Sequence, residues 1–295
     1  MPRRPPVNLT LRPATTDDLA VLADITVDSA FGGTPPDGFA TPYLDHELAT
    51  GAGIVATEDG SPVGFGILLT RGDISNLAEL FVRRGTQSQG VGAAILVRLL
   101  EDAPPRLFTV ASSDPRALAL YARHGIVPRW PDWDLRAEAA ALNLPPANLA
   151  VVEVAWDDEG WADWDRRCAG RPRASEHGYL RDTCSGVPLL FRKGAATVGY
   201  ACVQMAGDTG AGNTAVIGPL GARDAGIAPA VALAAARWAV ARRPVVQIDL
   251  PGPHAACASL IRAGFRIVGQ GTFMSNMPTD FMDPACYAPI GAEFF

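Results

Sequence analysis

The sequence predicts an α/β protein built from two tandem copies of one domain. Three observations carry this. A strand-like run over 76–82 leads into a glycine-bearing loop, Gln87-Ser88-Gln89-Gly90-Val91-Gly92, and then a helix-like run over 93–100. The same order of strand, glycine loop, helix and glycine-ended helix returns in the second half of the chain. A length of 295 residues with 48% hydrophobic content suits two domains, each able to bury a core.

Each element has a local reason. Leu9, Leu11 and their neighbours read as a first strand. Thr16 or Asp17 suits the N-cap of a helix that enters at Leu19 and continues through Val21 and Leu22. Residues 53–58 and 62–70 read as a hairpin turning at Asp59-Gly60, a pair that tolerates left-handed backbone. The loop after the next strand forms an anion site, because its amides and the following helix N-terminus aim donors at one place and the helix dipole adds positive charge. The expected ligand is a phosphate or pyrophosphate. A P-loop would need Gly-Lys-Ser/Thr at the loop end, and a dinucleotide fingerprint a small residue where Ile95 stands. Residues 106–111 read as another strand. A helix follows over 114–126, with Asp114 as cap and Pro115 in the first turn.

The pattern Gln87-x-x-Gly90-x-Gly92, with the strand and helix entry over 9–19 before it and Asp114-x-x-Ala117-x-x-x-Tyr121-x-x-x-Gly125-Ile126 after it, resembles the GNAT superfamily of acyl-CoA-dependent N-acetyltransferases. That late helix usually reads Asn-x-x-Ala-x-x-x-Tyr-x-x-x-Gly-Phe, so Asp114 and Ile126 are mild departures. The resemblance implies that each domain is a mixed, mainly antiparallel sheet flanked by helices (α/β, or α+β). It implies acetyl-CoA as cosubstrate, with its pyrophosphate held by Gln87, Ser88, Gln89, Gly90, Val91, Gly92 and Ala93. Phe81 and Val82 would offer backbone amides to the pantetheine and the thioester oxygen, where the family's strand splays from its neighbour. Asp114, Ala117 and Tyr121 would line the cofactor along the late helix. Tyr121 would stand near the sulfur and protonate the leaving thiolate; the other reading is an aromatic that packs beside Leu118 and Leu120. Glu79 is the candidate base, drawing the amine proton through water, or else an ordinary carboxylate. Strand alternation puts Glu79 and Phe81 on one face, Leu80 and Val82 on the other.

The repeat is domain-sized. Gly90 echoes in Gly226 at an offset of 226 − 90 = 136, and Gly125 in Gly264 at 264 − 125 = 139. The opening strand and helix echo over 151–164, and 227–240 reads as a buried alanine-rich helix. The expected organisation is an N-terminal acetyltransferase domain over 8–135, a semi-rigid linker over 136–148 ending at Pro145-Pro146, and a second domain over 149–295. The second domain resembles the degenerate half of bacterial two-domain members. Leu260 stands for Tyr121, Asp224 for Ser88 and Pro229 for Ala93, each weakening acid catalysis or anion binding. Arg223-x-x-Gly226-x-Ala228 still fits the loose motif, so a second domain that binds CoA, or is the active one, stays open. So does a non-catalytic acyl-CoA-binding or regulatory protein on this fold.

The remaining features narrow the class. A net charge of −6 argues against a nucleic-acid partner. The apolar runs are too short to span a bilayer, and residues 1–6 lack the apolar core of a secretory signal. The five cysteines form no Cys-x-x-Cys and pair with no histidine at zinc spacing, and the four histidines are scattered. These features fit free thiols in a reducing cytoplasm and no metal. The acceptor, a small-molecule amine, would sit among 31–43, Trp130 and Trp133, with Asp28, Asp37 and Asp45 near a cationic group. Trp130 and Trp133 fit the packing of a domain interface equally well. A monomer or homodimer is expected.

Overall fold

The computed structural model describes residues 8–35, 41–146, 148–206, 213–291 and 294. The first half runs β1 (Leu9–Pro13), α1 (Leu19–Phe31), α2 (Pro42–Thr50), β2 (Ala52–Glu58), β3 (Ser61–Arg71), β4 (Ile74–Val82), α3 (Val91–Leu100), β5 (Arg106–Ala111), α4 (Pro115–Arg123) and β6 (Val127–Glu138). The second half repeats that order element for element: β7 (Ala150–Glu153), α5 (Glu159–Ala169), α6 (Ala174–Asp182), β8 (Val187–Lys193), β9 (Ala196–Gln204), β10 (Thr214–Ala222), α7 (Ala228–Val240), β11 (Val245–Pro251), α8 (Cys257–Ala263) and β12 (Arg266–Ser275). A short strand, β13 (Tyr287–Ala288), follows.

Local chemistry sets the turns. Asp59 and Gly60 both take positive φ, 49° and 80°, as a two-residue hairpin between β2 and β3 requires. The expected cap at Thr16 or Asp17 is replaced by two, Thr15 before a short 3-10 turn and Asp18 before α1 itself. Thr15 and Asp18 form a capping box around a 3-10 turn over Thr16–Asp18. Arg12 fixes this end, donating to both Asp18 oxygens at 2.8 and 2.6 Å and holding that carboxyl at about 2.

The strands form one sheet, and its order is a palindrome: β1-β2-β3-β4-β5-β12-β6-β11-β10-β9-β8-β7. Each half therefore places its last strand beside the other half's fifth. β5 pairs antiparallel with β12, and β11 with β6. At the centre β6 and β12 pair with each other, stacking Trp130 on Phe273 with centroids 4.4 Å apart and planes 4° apart. Residues 136–138, expected to open a linker, continue β6. Ala139–Ala141 then form a 3-10 turn, and the connection binds the second half through Ala139 N to Pro244 O (2.7 Å) and Asn143 N to Ala263 O (2.8 Å). It is packed against the second half along this stretch.

Helices cover both faces. α3 and α4 close the first half on one side with Val91, Ile95, Leu96, Leu99 and Tyr121, and α7 and α8 do the same for the second. On the opposite side α1, α2, α5 and α6 share a core that joins the halves: Leu22, Ile25, Leu44 and Phe65 meet Trp161, Tyr179, Tyr200 and Phe294.

Candidate active site

The site begins where two strands part. β4 and β5 pair in parallel only from Ile74 to Asn76, opposite Arg106 to Phe108. Thr109 Oγ1 reaches Leu77 O at 2.8 Å, and beyond that the strands diverge into a V. A register shift on the β3 side, where Leu77 faces Leu68 and Glu79 faces Ile67, places a bulge at Ala78. At the far end Arg83 N donates to Val63 O of β3 at 2.8 Å. Backbone polar groups alternate between the two edges of a strand, so the amides of Leu80 and Val82 point the other way, into the V. The sequence reading named Phe81 and Val82. Val82 has the expected direction, but the Phe81 amide faces β3, and its ring packs on Phe65 at 5.8 Å. The Leu80 amide shares the direction of Val82, which the register with β3 identifies.

The glycine loop lies at the mouth of that V. Gln87 braces it, its Nε2 donating to Val82 O at 3.0 Å and its Oε1 accepting from Arg116 Nη1 at 2.8 Å. Arg116 in turn forks onto Asp114, which accepts the Arg116 amide at 2.8 Å as the N-cap of α4. Those Arg116 bonds hold the Asp114 carboxyl below the usual carboxylate range. Asp114 thus acts as a cap, and through Arg116 and Gln87 it ties α4 to the end of β4. Ser88 and Gly90 take positive φ, 63° and 94°, and Gln89 Nε2 donates to Gly85 O. α3 then starts at Val91 with no side chain capping it, and the first intrahelical bond comes from Ala94 N to Gly90 O. The amides of Val91, Gly92 and Ala93 are left over at the positive end of the helix dipole. A Cβ at Gly92 would lie 3.6 Å from Val82 and 3.7 Å from Leu120, and one at Gly85 would meet nothing within 4 Å, so a ligand can come close. Arg84 and Arg116 stand exposed beside the loop.

Tyr121 and Glu79 flank the V from opposite faces. Tyr121, 6% exposed, packs on α4 with Val91, Ile95 and Ala111. Burial, reinforced by the charges of Glu79 and Asp114, pushes its hydroxyl well above the ordinary tyrosine range, so it stays protonated. Glu79 is buried on the face of Phe81, where α1 covers the sheet. Ala117 lines the α4 side with Leu118 and Leu120.

The second half has the same frame and fills it. Arg223 N donates to Val198 O at 2.9 Å, the bond Arg83 makes to Val63, so β10 ends as β4 does. β10 and β11 pair in parallel only from Thr214 to Ile217, and there too the strands part. Here β13 enters the gap, placing Ala288 opposite Leu220 and Tyr287 opposite Gly221, while Ala222 N donates to Cys286 O at 3.0 Å. The loop is shorter, 224–227 against 84–90, so Asp224 stands in the register of Arg84 and not of Ser88. Its Oδ1 accepts from Ile227 N at 3.1 Å and its carbonyl from Ala228 N, occupying the start of α7. Pro229 removes a further amide there.

The aromatic pair after α4 belongs to the interface. Trp130 stacks on Phe273 and Trp133 packs against the α7 core, because β6 runs between strands of the other half. Asp28 accepts the Arg84 amide at 2.8 Å, tying α1 to the end of β4. Asp37 lies outside the described residues. Burial pushes the Cys168 and Cys286 thiols up to about 12, which disfavours either as a nucleophile. Among the described residues no group of His, Cys, Asp and Glu is placed to hold a metal, and no helix is long and apolar enough to cross a membrane.

Residues 20–126 match the Acetyltransferase (GNAT) family. No curated protein sequence matches the chain. Among solved structures, a candidate acetyltransferase from Pyrococcus horikoshii superposes with a TM-score of 0.76 at 19% identity, covering 98% of this chain and 96% of that one. A tandem GNAT protein from the clavulanic acid biosynthesis pathway superposes with a TM-score of 0.61 at 17% identity, covering 92% and 100%. A GCN5-related N-acetyltransferase from Sphaerobacter thermophilus gives 0.61 at 15% identity, covering 95% and 98%. At these identities the likeness is one of fold.

Proposed function

We propose, for a chain whose residues 20–126 match the GNAT acetyltransferase family and whose two halves repeat one fold, that the first half transfers an acyl group directly from acetyl-CoA to a small-molecule amine. The observation that carries this reading is an asymmetry between equivalent sites. The edge of β4 at Leu80 and Val82 and the first turn of α3 present donors without a partner among the described residues, whereas β13 and Asp224 occupy the same positions in the second half.

The chemistry follows from the placement. Acetyl-CoA supplies the activated thioester. The amides of Val91, Gly92 and Ala93 bind the pyrophosphate, with Arg84 and Arg116 adding positive charge at the rim. Leu80 and Val82 donate to the carbonyl oxygen as negative charge grows on it. The amine nitrogen bonds to the carbonyl carbon as the carbon–sulfur bond breaks. The surplus amine proton leaves toward Glu79, directly or through water, and Tyr121 gives its proton to the departing thiolate. Because the pyrophosphate loop lies on the α3 side, the acyl end passes through the V and emerges on the face of Glu79 and Phe81, where the acceptor arrives.

The test is titration calorimetry with acetyl-CoA, together with thiol release over a panel of primary amines. Gly90 needs its left-handed φ of 94° and a bare Cα. Gly90→Val is expected to weaken acetyl-CoA by at least about tenfold in a chain that still folds. Unchanged affinity would place the cofactor elsewhere.

A further inference from the structure

We infer, resting on that reading, that the second half is the mount for the acceptor side of the first: the segment that fills the second V continues to the junction, where Phe294 positions α2.

The acceptor face is closed by α1 and α2, joined in sequence by residues 32–41. The α1 end is tied to the site itself by Asp28 and the Arg84 amide, with the Arg84 guanidinium against Gly32. The α2 end is fixed by the other half. Arg71 donates to Thr50 O at 3.0 Å and to Thr50 Oγ1 at 2.9 Å, closing the last turn of α2, while its Nε donates to Glu176 Oε1 of α6 at 2.7 Å. One turn back, the His46 ring lies 5.0 Å from Tyr179 of α6 and 5.4 Å, edge-on, from Phe294. Phe294 completes the trio at 4.9 Å from Tyr179 and is 4% exposed.

The chain leading toward Phe294 is held as far as Ile290. After β13, the buried Gln204 amide of β9 donates to Gly218 O at 3.1 Å and to Ile290 O at 3.2 Å, and Ile290 enters the shared core with Ile25 and Leu44. The residues that stop the second V from taking a ligand are therefore continuous with those that hold α2. The pyrophosphate loop is braced separately, through Gln87, Arg116 and Asp114. Loosening Phe294 therefore disturbs the acceptor side and spares the cofactor side, which makes Phe294 a positioning residue.

The test uses the full chain with Phe294→Ala and with Phe294→Leu, which keeps apolar bulk but loses the ring contacts. Amide exchange over 42–50 is expected to speed up by about tenfold in the alanine variant and less in the leucine one, with 91–100 unchanged. The KM for an amine that turns over is expected to rise by about the same factor, with kcat and the acetyl-CoA Kd within about twofold of wild type. Unchanged exchange over 42–50 overturns the proposal. So does an unchanged KM beside faster exchange, since α2 would then be loosened without consequence for the acceptor. If the alanine variant does not fold, the leucine variant is read by the same two criteria. If wild type acetylates nothing on the panel, the transferase reading fails by itself, and exchange alone decides whether the second half holds α2.

Discussion

Leu260 occupies in the second half the position that Tyr121 holds in the first. The Tyr121 carbonyl accepts the Ile126 amide at 3.1 Å, and the Leu260 carbonyl accepts the Phe265 amide at 3.1 Å, each helix closing on a left-handed glycine, Gly125 or Gly264. One cleft therefore carries a buried hydroxyl where its twin carries a methyl-tipped branch. A hydroxyl can give a proton to a thiolate, and a leucine cannot.

Tyr121→Phe is expected to lower kcat by roughly ten- to a thousand-fold while leaving acetyl-CoA affinity nearly intact, as removal of a general acid does. Single-turnover kinetics with an amine substrate check this. Because burial raises the Tyr121 hydroxyl well above its ordinary range, its ionisation is not expected to produce an alkaline fall in rate below about pH 10. Turnover equal to wild type in a chemistry-limited assay would make Tyr121 a packing residue.

Calorimetry is expected to find one acetyl-CoA per chain. Asp224→Ala removes the side-chain acceptor ahead of α7 and is expected to lower stability only slightly, because Asp224 is exposed and its carbonyl still accepts the Ala228 amide. The stoichiometry is expected to stay at one, because β13 still pairs with β10 in that variant. A second bound cofactor in the variant would show that Asp224 alone kept the site closed.

Acid is expected to weaken the second half through Asp165 and its junction with the first through Glu176. Burial by itself would raise the Asp165 carboxyl, yet the Arg173 charge and hydrogen bonds from His177 and Arg173 hold it at about 2 against a usual 3.8. A depressed carboxyl contributes stability above its unfolded value and loses it as pH falls through its folded one. Glu176, held low by His46 and Arg71 against the same burial, acts in the same direction. Chemical denaturation at a series of pH values is expected to show a plateau above about pH 5 and a fall from about pH 4 to 2. Asp165→Asn strands Arg173, which is 2% exposed, and is expected to cost ~3–5 kcal/mol at neutral pH. A flat profile would mean that these pairs persist in the unfolded chain or contribute little.

Separating the halves is expected to fail. Residues 8–146 alone would lose β12 from between β5 and β6 and leave both with unpaired edges. Size exclusion of the separately expressed halves is expected to show aggregates or exchanged dimers, and co-expression to restore a one-to-one complex. A stable, monomeric first half would show that the exchange is dispensable.

Much of this was legible in the residues. The hairpin at Asp59-Gly60, the cap at Asp114, the loop around Gly90 and the repeat of Gly125 as Gly264 appear where the sequence places them, because each depends on a few neighbouring side chains or a single positive φ. Other readings moved. The start of α1 split in two, Thr15 capping a 3-10 turn and Asp18, held by Arg12, standing at the N-cap of the helix. The Phe81 amide turned to β3 because a bulge at Ala78 sets the register. Asp224 fell into the register of Arg84 because the second loop is shorter. Trp130 and Trp133 went to the interface because β6 crosses into the other half.

The sequence by itself determined the elements around the glycine loop, their order and the duplication, since helix caps, glycine turns and strand alternation are decided within a few residues of chain. Only the tertiary structure decided which strands meet and which backbone donors remain unspent. A strand edge offers the same amides and carbonyls to any partner, and nothing near Leu220 along the chain announces that Ala288 will lie opposite it. That one long-range pairing separates the filled cleft from the one that Leu80 and Val82 leave open.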